Sequence, residues 1–210
     1  MVKKALAITG ATGRKSGGGF ARIISKNLVI LNKEFEGGIR LLTRKQSKTD
    51  EVEKLIPNAE FYKGSFDDEK FLDGALSNVD TLVHIAGIMF STKLVNSAVR
   101  CKVRRLILVH TTGIYSKYKA ASQVYKNIEK SIYQMCKENN ILLTILRPTM
   151  IYGNVEDANI IKFIKMVDKL PLMPVVNGAR YELQPVHYLD LSQAYYDVLM
   201  NKQETVNKDF

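Results

Sequence analysis

The residues best suited to chemistry stand near the start of this chain of 210 residues. They are Thr9-Gly10-Ala11-Thr12-Gly13-Arg14-Lys15-Ser16-Gly17-Gly18-Gly19-Phe20, between an apolar run at 4–9 and an apolar-periodic stretch at 20–31. Glycines at a strand-to-helix turn let the backbone bend tightly and let a pyrophosphate approach the amides of a helix N-terminus. Gly10, Thr12 and Gly13 are the candidate phosphate contacts, and Arg14 and Lys15 add positive charge. The stretch narrowly misses a Walker A loop, because Arg14 stands where the glycine before Lys15-Ser16 should be. The plainer alternative is an ordinary flexible loop. A second candidate closes the strand-like run 39–43. An acidic residue there would hold a ribose 2′-hydroxyl, whereas arginine accommodates a 2′-phosphate. The sequence offers Arg44 and Lys45, so the expected cofactor is NADP, with NAD as the alternative.

Proton transfer needs a hydroxyl of tunable acidity. Tyr115-Ser116-Lys117-Tyr118-Lys119 matches Tyr-x-x-x-Lys, in which a lysine one helical turn away favours the phenolate. His84 and His110 lie in or at the ends of apolar strands and read as structural, while His187 reads as an anchor for a late motif. No His/Cys/Asp/Glu spacing suggests a metal site. Cys101 and Cys136 read as packed, reduced thiols, which fits a cytoplasmic protein.

These groups must be positioned by an alternation of strands and helices. Strand-like runs fall at 4–9, 39–43, 59–62, 81–85, 106–110 and 141–146. Helix-like stretches fall at 20–31, 50–56, 68–76, 94–101 and 119–137. The last of these repeats Val124, Ile128, Ile132 and Met135 at steps of three and four. Fully apolar strands in βα units predict a parallel sheet covered on both faces, with ligands at the carboxyl ends of its strands. Beyond residue 150 the pattern loosens. The expected division is a cofactor domain over 1–150 and a small lobe over 151–210. No apolar run approaches the ~20 residues that span a bilayer, and no signal peptide is visible, so no membrane partner is expected.

The net charge of +10 is uneven. Residues 1–48 carry +9, 50–91 carry −6, 93–137 carry +9 and 138–210 carry −2. No nucleic-acid motif accompanies the basic blocks, and aromatic residues are not interleaved with them. The expectation is therefore a small anionic partner and no nucleic acid, with both blocks bordering one cleft. A solvated surface is the alternative.

Taken together, these segments resemble the extended and atypical short-chain dehydrogenase/reductases, the group that includes nucleotide-sugar epimerases and dehydratases. Thr9–Gly13 matches the first turn. The segment 79–87, ending in Ala86-Gly87, is similar to the fourth strand, which leads to the cofactor ribose. The segment 109–115 is similar to the fifth strand and its Ser/Thr. Leu146-Arg147-Pro148-Thr149, followed by Tyr152-Gly153, resembles the strand that flanks the nicotinamide, and 184–190 resembles an element of the substrate lobe. The resemblance implies an α/β, Rossmann-type doubly wound parallel sheet with a small C-terminal lobe. It also implies NAD(P) contacts at Gly10, Thr12, Gly13, Arg14, Arg44, Phe66, Asp67, Ala86, Gly87, Pro148 and Thr149.

The chain departs from that pattern in four places. Three residues read as inserted before Gly19. Ser65 replaces an expected Asp, leaving Phe66 and Asp67 to border the adenine. Counting back from Arg147 at the family's spacing puts Ala121 at the tyrosine position, Tyr125 at the lysine position and Glu129 where a glutamate is common. By this register Tyr125 faces the nicotinamide, whereas the literal motif names Tyr115 and Lys119. Finally, relatives continue past residue 210 into another strand. The implied function is an NAD(P)-dependent oxidoreductase or epimerase-like enzyme, acting on a sugar nucleotide or small carbonyl or alcohol, with Thr111 and Tyr125 handling the oxygen. The alternative is a non-catalytic NADP(H)-binding sensor. The helix at 119–138 could also serve as a seam between copies of a homo-oligomer.

Overall fold

The computed structural model describes residues 3–13, 16–117, 119–154, 160–170, 178, 180 and 183–210. Its centre is a parallel sheet of β1 (Ala5–Thr9), β2 (Ile39–Thr43), β3 (Glu60–Lys63), β4 (Val79–His84), β5 (Arg105–Val109) and β6 (Leu142–Leu146). The strand order is β3-β2-β1-β4-β5-β6. The order reverses beside β1, and this switch leaves a crevice at the carboxyl ends where such sheets take ligands. Strands β1 and β5 are buried along their whole length, which is why they read as unbroken apolar runs. Edge strand β3 is only half covered and carries Glu60 and Lys63 at its exposed ends.

Two helical layers cover the sheet. The alternation of side chains along each strand divides the core between them. Ala5 and Ala7 face one side, packing with Leu72 of α4 (Glu69–Leu76), Leu94 of α5 (Ser91–Arg100) and Ile132 of α6 (Lys119–Glu138). Leu6 and Ile8 face the other side. They pack with Phe20 and Ile24 of α1 (Ser16–Lys26), Leu31 of α2 (Leu28–Glu34) and Val52 of α3 (Asp50–Leu55). The stretch expected as one helix at 20–31 starts earlier and divides in two. Asn27 donates its side-chain amide to the Ile23 carbonyl at 2.8 Å, a local bond that competes with helix continuation.

After β6 come β7 (Ile151–Tyr152), α7 (Ile160–Lys169), β8 (Val186–His187), α8 (Tyr188–Met200) and α9 (Lys202–Thr205). β7 and β8 pair in parallel. Helix α8, within the stretch expected to form the appended lobe, packs on α1. The fit depends on Gly19, where a Cβ would lie 2.4 Å from the Ser192 hydroxyl. Tyr195 meets Phe20 edge-on at 5.7 Å and hydrogen-bonds the Ser16 hydroxyl at 3.0 Å. The last residues, 207–210, extend along the sheet edge. They run beside β6, with Asn207 N–H on the Leu143 carbonyl at 2.8 Å and Arg147 N–H on the Phe210 carbonyl at 2.7 Å.

Two buried polar clamps tie the layers to the two ends of the sheet. At the amino end the guanidinium of Arg105 donates to the Leu199 and Val198 carbonyls at 2.8 and 2.6 Å and to the Thr205 hydroxyl at 3.2 Å. A cation thus satisfies the free carbonyls at the C-terminus of α8, where the helix dipole is negative. At the carboxyl end Glu129 of α6 takes a bidentate ion pair from Arg147, with contacts of 3.0 and 2.6 Å. It also lies 2.9 Å from His110 Nδ1. Arg147 bonds Asp209 at 3.0 Å as well. Asp209 in turn accepts from Tyr133, whose phenol is pushed up to about 12 by burial and by that carboxylate. Burial alone would raise the Glu129 carboxyl, but the bonds from His110 and Arg147 outweigh it and hold the group below its ordinary value.

Replacing Arg105 by Met keeps the volume but orphans the α8 carbonyls, so Arg105→Met should lower unfolding stability by about 2–4 kcal/mol, measured by urea denaturation. Glu129 sets a pH dependence with a definite sign. Its folded pKa lies below its unfolded one, so its stabilisation is present above the unfolded value of about 4.3 and is lost as pH falls below that. Glu129→Gln should be less stable than the parent at neutral pH and should show a shallower further loss below about pH 4.3. Parallel loss in both proteins would show that the carboxylate does not carry this effect.

Candidate functional site

The carboxyl ends of β1, β4, β5 and β6 meet at one rim. Gly10, at φ +81°, turns the chain out of β1 so tightly that a Cβ would lie 2.9 Å from the Ala86 amide nitrogen. The turn after β1 therefore sits directly on the turn after β4. Gly13 N–H bonds the Gly10 carbonyl at 2.8 Å, and Thr12 between them is half-buried. Gly17 is the glycine on which the first turn of α1 depends, since a Cβ there would fall 1.9 Å from the Gly10 oxygen. Gly19 instead faces α8. The loop is thus closed at Gly17, two residues before the glycine that the sequence pattern suggested. Arg14 and Lys15 lie outside the described residues.

Beneath this rim His84 joins two strands. Its ring is fully buried, and burial drives its pKa down to about 3, so the imidazole is neutral. Nε2 lies 3.0 Å from the Gly87 carbonyl and Nδ1 lies 2.6 Å from the Thr9 hydroxyl. A carbonyl can only accept, so the proton sits on Nε2, and Nδ1 accepts from Thr9. His84 thereby fixes Gly87, whose φ is +108° and beside which a Cβ would meet nothing within 4 Å. Gly87 thus borders open space, while Ala86 packs against the core.

At the end of β5, Thr111 accepts the Gly113 N–H at 3.0 Å and opens the 3-10 turn Thr112–Tyr115. The Thr112 N–H and hydroxyl both reach the Pro148 carbonyl at 3.3 Å. Tyr125, on the first half of α6, packs on the same turn: a Cβ at Gly113 would lie 3.1 Å from Tyr125 Cε2 and 3.3 Å from the Thr111 hydroxyl oxygen. The structure therefore brings Thr111 and Tyr125 together. Tyr115 is 70% exposed. Lys119 begins α6, and its side chain is outside the description. One helical turn past Tyr125 stands Glu129, already engaged by Arg147 and His110.

Other expected contacts are placed differently. Phe66 is packed edge-on against His84 and Phe90, with ring centroids at 6.4 and 5.5 Å. Asp67 is held by Lys93, whose ammonium keeps its carboxyl below the usual range. Thr149 donates its hydroxyl to the Gln184 carbonyl. Arg44 is exposed at the end of β2. Beside it the buried Thr43 hydroxyl has no hydrogen-bond partner among the described residues. His187 is held between Tyr152 and Tyr188, at 5.3 and 4.9 Å.

Some cations of the two basic blocks are held in ion pairs. Arg22 pairs with Glu51, Arg40 with Glu60, Arg100 with Asp73 and Arg104 with Asp80. These pairs join residues of the basic blocks to the acidic one, and the Arg104–Asp80 pair sits at the amino ends of β4 and β5. Among the described residues no group of three or more His, Cys, Asp or Glu could hold a metal ion, and no helix is long and apolar enough to cross a membrane. Sequence reasoning missed Thr9, Ser91 and Ser16 as partners of His84, His110 and Tyr195. Each pair is joined only by the fold, and no local pattern marks it.

The architecture has known counterparts. A short-chain dehydrogenase/reductase from Veillonella parvula in complex with NADP superposes with a TM-score of 0.61 at 20% identity, over 99% of this chain and 93% of that one. The UDP-glucose 4-epimerase of Thermotoga maritima gives 0.72 at 17% identity, over 98% and 75%. The triphenylmethane reductase of a Citrobacter species, complexed with NADP(H), gives 0.71 at 18% identity, over 98% and 68%. Against some other matched structures the chain spans about two thirds of their length, 65% in one case and 66% in another. No curated protein matches by sequence. The family is settled by a match to the NmrA-like family over residues 2–189, a span holding the glycine turn, Thr111, Tyr125 and the Glu129 clamp, and the chain belongs to that family.

Proposed function

We propose that the chain is an NADP(H)-dependent oxidoreductase or epimerase-like enzyme that acts on a small carbonyl or alcohol by hydride transfer. The observation that carries this reading is the pairing of Thr111 with Tyr125 on the rim that also holds Gly10 and Gly87. The residues present fit a dinucleotide. Gly10 and Gly17 let the backbone of the first turn close on Ala86 and on itself, as a tight strand-to-helix turn requires, and Gly87 borders open space. The unpartnered Thr43 hydroxyl beside exposed Arg44 suits a phosphorylated ribose. The structural neighbours complexed with NADP(H) support the same choice. In this reading Gly10, Thr12 and Gly13 hold the pyrophosphate, and Arg44 holds the 2′-phosphate. Ala86 and Gly87 face the ribose, and Pro148 borders the nicotinamide. When bound, the cofactor supplies or accepts the hydride. Thr111 already accepts from Gly113 N–H, which leaves its own O–H to donate to a substrate oxygen. Tyr125 carries the proton exchanged with that oxygen.

The second reading is a non-catalytic NADP(H) sensor. It is favoured by Glu129, a carboxylate consumed in an ion pair, standing one turn past Tyr125 where a lysine would activate a phenol. The two readings separate experimentally. NADPH binding, followed by its fluorescence, is expected in both, whereas NADPH oxidation with a carbonyl panel is expected only in the first.

Arg44→Ala should weaken NADPH binding by about tenfold or more while leaving NADH nearly unchanged, because one charge-assisted phosphate contact is lost. Equal loss for both cofactors would place Arg44 elsewhere. Tyr125→Phe should lower kcat by about 10²–10³-fold with NADPH affinity kept, and Tyr115→Phe should stay near the parent. The reverse pattern would make Tyr115 the proton carrier.

A further inference from the structure

No residue of helix α7 is buried, and none belongs to either side of the core. Among the described residues no helix or strand packs along it. Its residues are nevertheless sharply sorted. Leu170 N–H bonds the Met166 carbonyl at 2.9 Å, so the last turn carries Leu170 as well. At 3.6 residues per turn, Phe163, Ile164, Val167 and Leu170 fall within an arc of about 120°. They are between 37% and 60% exposed. Lys162, Lys165 and Lys169 fall within an arc of about 60° on the opposite side, and all three are exposed. Asp168 is the one acidic residue of the helix.

An apolar face left in water costs free energy that an apolar medium would restore. A helix this short also draws its stability from covering such a face, not from its own bonds. Charge and size choose the cover. The face is about 15 Å long and 10 Å across, on the order of 300 Å² at most, against ~800 Å² per partner in a stable dimer. Pairing with a second copy would also bring two sets of lysines together. An acidic bilayer surface suits both sides of the helix. The acyl boundary takes the apolar groups, and the headgroup layer attracts ammoniums carried on long flexible stems.

We propose that α7 is an interfacial helix that docks the protein on an anionic lipid surface. It lies flat, with Phe163, Ile164, Val167 and Leu170 at the acyl boundary and the three lysines at the level of the headgroups. This is a peripheral contact, since no described helix is long and apolar enough to cross a membrane. The expectation of no membrane partner rested on apolar run length, which detects spanning segments and not a short amphipathic helix. The proposal goes beyond the oxidoreductase reading and does not depend on it.

The test floats the full-length protein with vesicles of phosphatidylcholine alone and of phosphatidylcholine mixed with phosphatidylserine. Two α7 variants are run beside the parent, Ile164→Gln/Val167→Gln and Lys165→Gln/Lys169→Gln. A third, Val29→Gln/Ile30→Gln, removes apolar groups that are 72% and 51% exposed on α2 and controls for general stickiness. Melting temperature and light scattering without lipid accompany each. The parent and the α2 variant should bind the acidic vesicles at least about tenfold more tightly than the neutral ones, because each lysine near an acidic surface is worth about fivefold. Ile164→Gln/Val167→Gln should bind about tenfold more weakly with its melting temperature kept. Lys165→Gln/Lys169→Gln should lose about tenfold or more on acidic vesicles alone. Absence of flotation, equal binding to both vesicles, or equal binding by the parent and the α7 variants overturns the proposal. So does a lipid-free dimer of the parent that Ile164→Gln/Val167→Gln dissociates, which would make the face a seam between two copies. NADPH binding is measured separately and decides only the oxidoreductase reading.

Discussion

The carboxylate of Glu129 is the point on which the carboxyl ends of β5 and β6 depend. It is almost fully buried, and a buried charge persists only when paired and hydrogen-bonded. Its partners come from three directions. Arg147 reaches it from the end of β6 and His110 from the end of β5, while Glu129 itself belongs to α6. His110 passes the constraint on to Ser91 at the start of α5, and Arg147 passes it on to Asp209 beside β6. One carboxylate thus fixes the elements that carry Thr111, Tyr125, Pro148 and the Met89–Phe90 turn. Removing one partner would leave an uncompensated charge, so the arrangement is kept or lost as a unit.

His84 does for the turns after β1 and β4 what Glu129 does for the ends of β5 and β6, by a different means. Burial keeps it neutral, so its two nitrogens have opposite roles and join Thr9 of β1 to Gly87 after β4. This bond holds the two glycine turns against each other, at the switch in strand order where the crevice must open. Both histidines in the sheet are therefore structural, and neither has a nitrogen left for catalysis.

The sheet was legible in the sequence because strands buried on both faces are written as uninterrupted apolar runs, and all six appear within a residue or two of where those runs fall. The glycine turn was legible because few residues can pass Gly10 so close to Ala86. Tyr125 was legible only through its register against Arg147, since the literal motif names a tyrosine that stands 70% exposed. What could not be read was pairing across distance. Arg100 with Asp73, Arg104 with Asp80 and Lys93 with Asp67 each join residues of a basic block to the acidic one. A linear charge profile shows these blocks as separate, but folding interleaves them. For the same reason Phe66 and Thr149, each in a segment that matches a cofactor-lining pattern, turn out to be engaged with Phe90 and Gln184.

That interleaving changes what the net charge of +10 implies for function. Exposed ion pairs add little stability, about 0–1 kcal/mol each, so their main effect here is to remove cations from the set available to a ligand. Among the described residues, Arg44 and Lys45 stand exposed after β2 and Lys117 after the turn that follows β5. The net charge therefore overstates the positive field that a ligand at this rim would meet.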